Sequence, residues 1–583
     1  MSLDVSATPP DPAPDAVPRD PLRPPDTVMR LARLGSLHQT RLSFTRALIR
    51  RMVREGWRLT RTRFDIGPDE TGEACYRLDT PQGHYTFVVF AENLDPDQRS
   101  DRVIAERWDY TFALVEGTPD AAEMARLRAN VPKQEAGRMC SHDVVLSRGN
   151  KSERLFEPLI ATLAAGRQPT AASLAQVGYL LRTTAVYGNG KFGLADYARL
   201  QTRGAFSQPF SAQMLTVYAA REFSLDLVES LARQRDPARA VPLDPALRRA
   251  LGVGNATGLG MAPFIVSHPK LIHAWVQARE TAIARVKALP EASPEARARF
   301  ATLLRRARRH VGEWTTGDAA QRDRIAVLRG ELDTLVAELA PPAAQAAALP
   351  EQAPWRWLAD SVTARFGLET QELIHSLMLE PYPALVDSLE DAMGADETLT
   401  LRPEMRVAAL IGLLEDAYAW ALAIDTEDAA ETGYFWYRSE TKEEPRLGAR
   451  GCDPGVDREM PLGIGVRVKS LYAALCALDP AARGESVAAF LVRYPQWRGL
   501  VRRVQTLAEL PYAEVRDNLV SETMRPIDLL RFKLSVFGAV KFDPKSDRWT
   551  RITLFQGAPT MAALHAPDAD PDDWAVPTWP EGF

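Results

Sequence analysis

The sequence predicts a mainly α fold: a large helical body that carries a small N-terminal antiparallel β-meander, α+β overall. Three observations lead there. Clean apolar–polar alternation between turn signals is confined to a stretch that ends near Val115. Beyond Glu116 nearly every periodic segment repeats its apolar residues at three and four positions, the spacing of one helix face. The 583 residues, 46% hydrophobic and 25% charged, have the proportions of an ordinary globular protein long enough to bury at least one large core.

Residues 1–26 carry eight prolines (Pro9, Pro10, Pro12, Pro14, Pro18, Pro21, Pro24 and Pro25), which favour extended backbone over a packed core, so a disordered leader is expected. In residues 27–117, Leu31, Leu34, Leu37, Phe44, Leu48 and Met52 space a helix from Thr27 to about Glu55. Trp57, Leu59, Phe64 and Ile66 then open the meander, Ala74, Tyr76 and Leu78 alternate, and Tyr85, Phe87 and Val89 alternate again. Gly67-Pro68-Asp69 and Pro81-Gln82-Gly83 supply the turns. Residues 118–430 read as a helical body with glycine-rich loops. Its clearest helix follows Ser267-His268-Pro269 and runs through Leu271, Ile272, Trp275, Val276, Ala282, Ile283 and Val286. Another opens at Pro403 and includes Val407, Leu410, Leu414 and Ala417. Residues 431–565 are expected to be loop-rich and helical, with one late strand near Arg551–Phe555, and residues 566–583 form an acidic tail.

Net charge is −5, from 71 basic and 76 acidic side chains, so no global positive field exists to neutralise a phosphate backbone, and nucleic acid is excluded as a partner. Cys75, Cys140, Cys452 and Cys476 form no C-x-x-C pair, which argues against a zinc cluster or disulfide framework and for a reducing compartment. No metal is expected. Neither a spanning apolar run nor a signal peptide is present, so the expectation is a cytoplasmic protein with no membrane partner; a homo-oligomer is compatible with it.

Four polar, glycine-containing stretches place cations or a histidine beside hydrogen-bonding side chains. In Cys140–Lys151, Ser141, His142 and Asp143 are adjacent in sequence and point in different directions, so they cannot form a catalytic triad. His142 remains a candidate acid or base, and Arg148 and Lys151 are placed near the start of the helix that carries Leu155, Phe156 and Leu159, where they would suit an anion. The second stretch runs from Arg182 to Gly193 and contains Gly188-Asn189-Gly190-Lys191-Phe192-Gly193, a G-x-G-x-x-G match. A dinucleotide site needs a strand before it, whereas Leu174, Val177, Leu180 and Leu181 are spaced for a helix. A P-loop fails too, with Ala185 at the first glycine position and Phe192 in place of the magnesium-binding hydroxyl. What remains is a tight loop with Asn189 and Lys191 at its tip.

The third stretch, Gly252–Pro263, has glycine at 252, 254, 258 and 260, which suits a loop wrapped around a ligand oxygen, with Asn255 and Thr257 to orient it. Over these dozen residues it resembles the Gly-Thr-Gly-rich segment of the fumarase and aspartase lyases; that family's Ser-Ser-x-Met-Pro-x-Lys loop is absent, and the family is not assigned. In the fourth, Tyr434–Gly448, four aromatics precede alternating charges, from which Arg438, Glu440, Lys442, Glu444 and Arg446 would form a paired network able to lift a carboxylate's proton affinity.

These stretches support an enzyme for a small anionic substrate, a carboxylate or phosphate, with lyase-type acid–base chemistry. Arg148, Lys151, Arg182, Lys191, Arg438 and Arg446 would hold the anion, Asn189, Asn255 and Thr257 would orient it, and His268, Glu440, Glu444 or His142 would move the proton. One alternative is an oxidoreductase with a flavin or nicotinamide bound by the glycine loops and the Trp436 region. Another is a non-enzymatic helical interaction module, suggested by Arg305, Arg306, Arg308 and Arg309 and the acidic tail.

Overall fold

Alternation and tight turns build the first strands as the sequence predicts. The computed structural model describes residues 20–98, 107–130, 140–183, 200, 202–258, 268–424, 433–438, 443–448, 458–459, 464–516, 526–546, 549–566 and 570–583. The helix expected over 27–55 is broken into short helices at Pro25–Val28 and Leu31–Leu34 before α1 (Phe44–Arg54); of the expected disordered leader, residues 20–26 are packed, with Arg23 paired to Glu280 and Glu372, and residues 1–19 lie outside the described residues. Strands β1 (Arg58–Ile66), β2 (Gly72–Thr80), β3 (Gly83–Ala91) and β4 (Tyr110–Glu116) then pair antiparallel in succession.

The sheet does not end there, and this overturns the expected fold class. After α2 (Ala121–Asn130) come β5 (Asp143–Lys151), β6 (Tyr179–Thr183) and β7 (Gly252–Gly258). A separate small sheet holds β8 (Gly433–Arg438), β9 (Glu443–Gly448) and β10 (Arg458–Glu459). Two late strands, β11 (Lys541–Ser546) and β12 (Trp549–Leu554), return to complete a nine-stranded sheet in the order β1-β2-β3-β4-β5-β6-β7-β12-β11. The protein is therefore an α+β molecule built on one large, mostly antiparallel sheet, and not a helical body with a small meander. The expected late strand near Arg551 is β12, and three of the stretches taken for loops carry strands: β5, β7, and β8 with β9.

The one parallel pair in the large sheet, β6 with β7, needs a long crossover, and α3 (Ser211–Arg235) supplies it by lying across β4 to β7. Phe87, Phe112 and Leu114 face the main core with α1 and α3, while Val88, Phe90, Ala113, Val115 and Leu146 meet Leu127 of α2 on the other face. With both faces covered, β4 is buried at six consecutive positions.

Helices α4 (Pro269–Lys287), α5 (Pro294–Gly312), α6 (Ala319–Leu339) and α7 (Leu368–Met378) join the main core. A second core is formed by α8 (Val407–Ala417), α9 (Ile464–Cys476), Val487–Arg493 and α10 (Arg498–Leu507). The chain then returns through α11 (Pro526–Phe537) to the main core, where Trp574 is fully buried. Among the described residues, no helix is long and apolar enough to cross a membrane.

A charged layer runs through the helical side. Glu372 of α7 accepts from Arg23, Arg33 and Arg279, and Glu369, one turn earlier, pairs with Arg324 and Arg531. Asp572 near the C-terminal end accepts from Arg41, Arg46 and Arg50 at 2.8, 2.9 and 2.8 Å. Buried guanidinium groups need such partners, since an uncompensated charge in the interior is costly.

Candidate functional site

The register of the last four strands places side chains in rows. Arg182 of β6 is in register with Gly254 of β7, Gly254 with Thr553 of β12, and Thr553 with Lys541 of β11. Paired residues share a face of the sheet, and Arg551, two residues before Thr553, shares it as well. The neighbours of these residues along β12, Ile552 and Leu554, belong to the main core. Over this polar face opens a cleft of about 170 Å³, lined by Ser152, Glu153, Arg154, Gln176, Val177, Tyr179, Arg182, Thr315, Lys541, Arg551, Ile552 and Thr553.

Glycine makes the floor. A Cβ at Gly254 would lie 2.7 Å from three atoms of the Tyr179 ring, so the ring rests flat on the backbone only because position 254 has no side chain. Gly252 is as constrained, with Leu554 O at 2.5 Å from where its Cβ would stand. Gly252 and Gly254 thus serve close approach within a strand, while residues 259–263 of this stretch lie outside the described residues. Lys541 Nζ donates to Ala175 O at 3.0 Å, which anchors the ammonium at the cleft wall.

Among the described side chains that line the cleft, Arg154, Arg182, Lys541 and Arg551 are cations and Glu153 is a carboxylate, while Asp543 of β11 is in register with Arg551 on the same face. Guanidinium groups can offer paired N–H donors to two oxygens of one oxyanion at once. Tyr179 and Thr553 add hydroxyl groups.

Of the residues expected from sequence, Arg182 lies in this cleft. Arg148 and Lys151 lie on β5, and Lys151 at its end stands beside the start of the helix Phe156–Ala164, its Nζ 5.6 Å from the ring centre of Phe156. Arg148 is buried with its guanidinium 4.8 Å from the Trp108 ring centre, and burial pushes its pKa down to about 10. Lys151 Nζ is held by Glu70 at 2.6 Å and Asn93 at 2.9 Å. Asn255 is buried and donates from Nδ2 to Thr183 O at 2.8 Å, so it ties β6 to β7 instead of orienting a ligand in the cleft.

His268 is the residue before α4, buried edge-on to Phe210. The carboxylate at that helix end is Glu397, which accepts from the backbone N–H groups of Leu271 and Lys270; burial raises it to about 7 against those bonds. His142 is exposed beside Glu123. Asn189, Lys191 and Glu440 lie outside the described residues, and of Thr257, Arg438, Glu444 and Arg446 only the strand positions are described: β7, β8, β9 and β9.

The helix expected to precede the G-x-G-x-x-G match is shortened to Ala171–Ala175, and Leu180 and Leu181 belong to β6 instead. Sequence reasoning missed Glu153, Arg154, Tyr179, Lys541 and Arg551. The available signal was on β12, where Arg551 and Thr553 alternate with Ile552 and Leu554.

Two smaller cavities lie behind the cleft. One of about 40 Å³ is lined by His38, Gln39, His310, Trp314 and Glu380 among apolar side chains, and one of about 20 Å³ by Arg324, Glu369 and Arg531 beside Trp314 and Phe542. They are of a size for water. Comparison of the chain with family models, with curated proteins and with solved structures finds no match.

Proposed function

We propose that the cleft binds a small oxyanion, a phosphate or carboxylate metabolite, and that the protein is an enzyme acting on it. The observation that carries this is a lining that, among the described side chains, has four cations and one carboxylate. At about 170 Å³ the cleft is smaller than the roughly 300 Å³ at which pockets for drug-sized ligands begin, which favours a ligand of few atoms. Acid–base chemistry of the lyase type would draw on Tyr179 and Lys541, which line the cleft, since His142 and His268 do not.

Calorimetric titration with inorganic phosphate and with succinate tests this. Saturable binding of at least one is expected, weakened about tenfold or more in R182A and in R551A, as loss of a charge-assisted hydrogen bond of about 1.5–3 kcal/mol requires. K151A, whose ammonium is held by Glu70, leaves affinity unchanged. Binding of neither anion, or binding undiminished in the R182A/R551A double variant, removes the cleft from the function.

A further inference from the structure

His142, exposed and remote from the cleft, stands in a second constellation. Helix α2 begins at a capping box: Glu123 N donates to Asp120 Oδ1 at 2.8 Å, and Asp120 N donates to Glu123 Oε2 at 3.1 Å. One carboxylate oxygen of Glu123 is thereby fixed, and the other, Oε1, lies 3.6 Å from His142 Nδ1. Cys140 completes the group. Its Sγ, the His142 ring nitrogen and the Glu123 oxygen all lie within 4.8 Å of one another. The backbone that presents them is pinned: Cys140 N donates to Asp143 Oδ2 at 2.9 Å, Glu116 N donates to His142 O at 2.9 Å, and Arg203 donates to Ser141 O.

We propose that Glu123, Cys140 and His142 form a binding site for Zn²⁺ with three protein ligands and an outward fourth position for water. The donor set is one sulfur, one nitrogen and one oxygen, the mixture zinc accepts. Zinc bonds of about 2.0–2.3 Å in a tetrahedron put ligand atoms roughly 3.4–3.6 Å apart. The histidine–glutamate distance already has that value, and the remaining contraction is about one ångström at side chains with room to move.

Charge also balances. A thiolate and a carboxylate neutralise the dication, while the neighbouring Arg126 and Asp143 neutralise each other through two bonds of 2.7 Å. Arg126 Nη2 donates to Cys140 Sγ at 3.2 Å, so the sulfur is already an acceptor there, and that donor would steady the thiolate without touching the metal. Before metal binds, the thiol donates to Asp143 Oδ1 at 3.4 Å; on binding, that proton passes to the solvent as the zinc–sulfur bond forms. The site is independent of the anion cleft and departs from the metal-free expectation drawn from the cysteine spacing.

The full-length protein, stripped of metal with a chelator and dialysed, is titrated with Co²⁺ and then Zn²⁺. One equivalent of Co²⁺ is expected to produce a thiolate-to-cobalt charge-transfer absorption that Zn²⁺ displaces, with release of about one proton per metal. The band disappears in C140S and persists in C75S, and Zn²⁺ affinity falls at least about tenfold in H142Q and in E123Q. H142Q alters an exposed side chain, so it reports even where C140S does not fold. No saturable uptake, a band that survives in C140S, or wild-type Zn²⁺ affinity in H142Q overturns the proposal.

Discussion

Replacing Glu372 with Gln is the most demanding test of the charged layer between α4 and α7. The carboxylate is fully buried and accepts from Arg23 Nη1 at 2.7 Å, Arg33 Nη1 at 2.6 Å and Arg279 Nη2 at 2.7 Å. Glu280 is the other acid facing these cations, through Arg23 and Arg279. With an effective dielectric near 20, a pair about 4 Å apart contributes about 4 kcal/mol, so three pairs give about 12 kcal/mol. Desolvation of the ions, several kcal/mol each, offsets much of that, and removing one side of a buried pair costs about 3–5 kcal/mol. Glutamine also turns an N–H₂ group toward guanidinium donors. Urea unfolding of E372Q at pH 7 should therefore show a stability loss of about 3–5 kcal/mol.

The pH dependence gives a second readout. Burial alone would raise the Glu372 carboxyl, but Arg23 and Arg279 overcome it and hold it well below the usual range. Below about pH 4.5 the unfolded chain takes up this proton and the folded one does not, so the stabilisation is complete above that pH and declines beneath it. E372Q lacks that decline, and the gap between the two proteins should narrow as pH falls from about 4.5. A loss under about 1 kcal/mol at pH 7, or a gap that stays constant into acid, refutes the reasoning.

Three further outcomes follow from the same structure. Gly254→Ala forces a methyl against the Tyr179 ring, and it should cost about 1–3 kcal/mol by overpacking and weaken phosphate binding; a variant with unchanged melting and affinity shows that the ring does not rest on this floor. Burial holds His310 down to about 4, so between about pH 6.5 and 4 the unfolded chain binds the extra proton and stability declines as pH drops through that window. Unfolding measured at several pH values should show a shallower slope there in H310Q, and an identical slope counts against a buried neutral ring. Asp572→Ala leaves Arg41, Arg46 and Arg50 without their shared carboxylate, and should cost about 3–5 kcal/mol while exposing the chain after residue 570 to limited proteolysis; resistance equal to the wild type contradicts the clamp.

Where alternation was clean, strands were legible. Tyr85, Phe87 and Val89 marked β3, and Ile552 with Leu554 marked β12. Strand β5 escaped notice because Arg148 and Asn150 are buried polar residues: Asn150 Oδ1 accepts from Asp109 N at 3.1 Å, and the Arg148 guanidinium lies over Trp108. Such positions read as loop until their partners are known. Strand β7 escaped for a different reason. Gly252, Gly254 and Gly258 have poor strand propensity, and the segment is extended because β6 and β12 hydrogen-bond it from both sides, an effect of tertiary context. The cleft was legible only at Arg182, since its other cations come from strands and turns that are remote in sequence. Periodicity describes one element at a time and carries no record of which elements become neighbours.

The position of β7 in the sheet constrains how the protein can be made. Its partner β6 precedes it, but β12, which covers its other edge, is made only after the whole second helical core. At about 5–20 residues per second a ribosome needs roughly 15–60 s to travel from one to the other. Throughout that interval the Gly252–Gly258 edge has unpaired N–H and C=O groups and no charged side chain to repel another strand. Products arrested before β12 would thus be prone to edge-to-edge association, and because Arg182 and Arg551 meet only when this gap closes, the cleft forms only once β12 has been made.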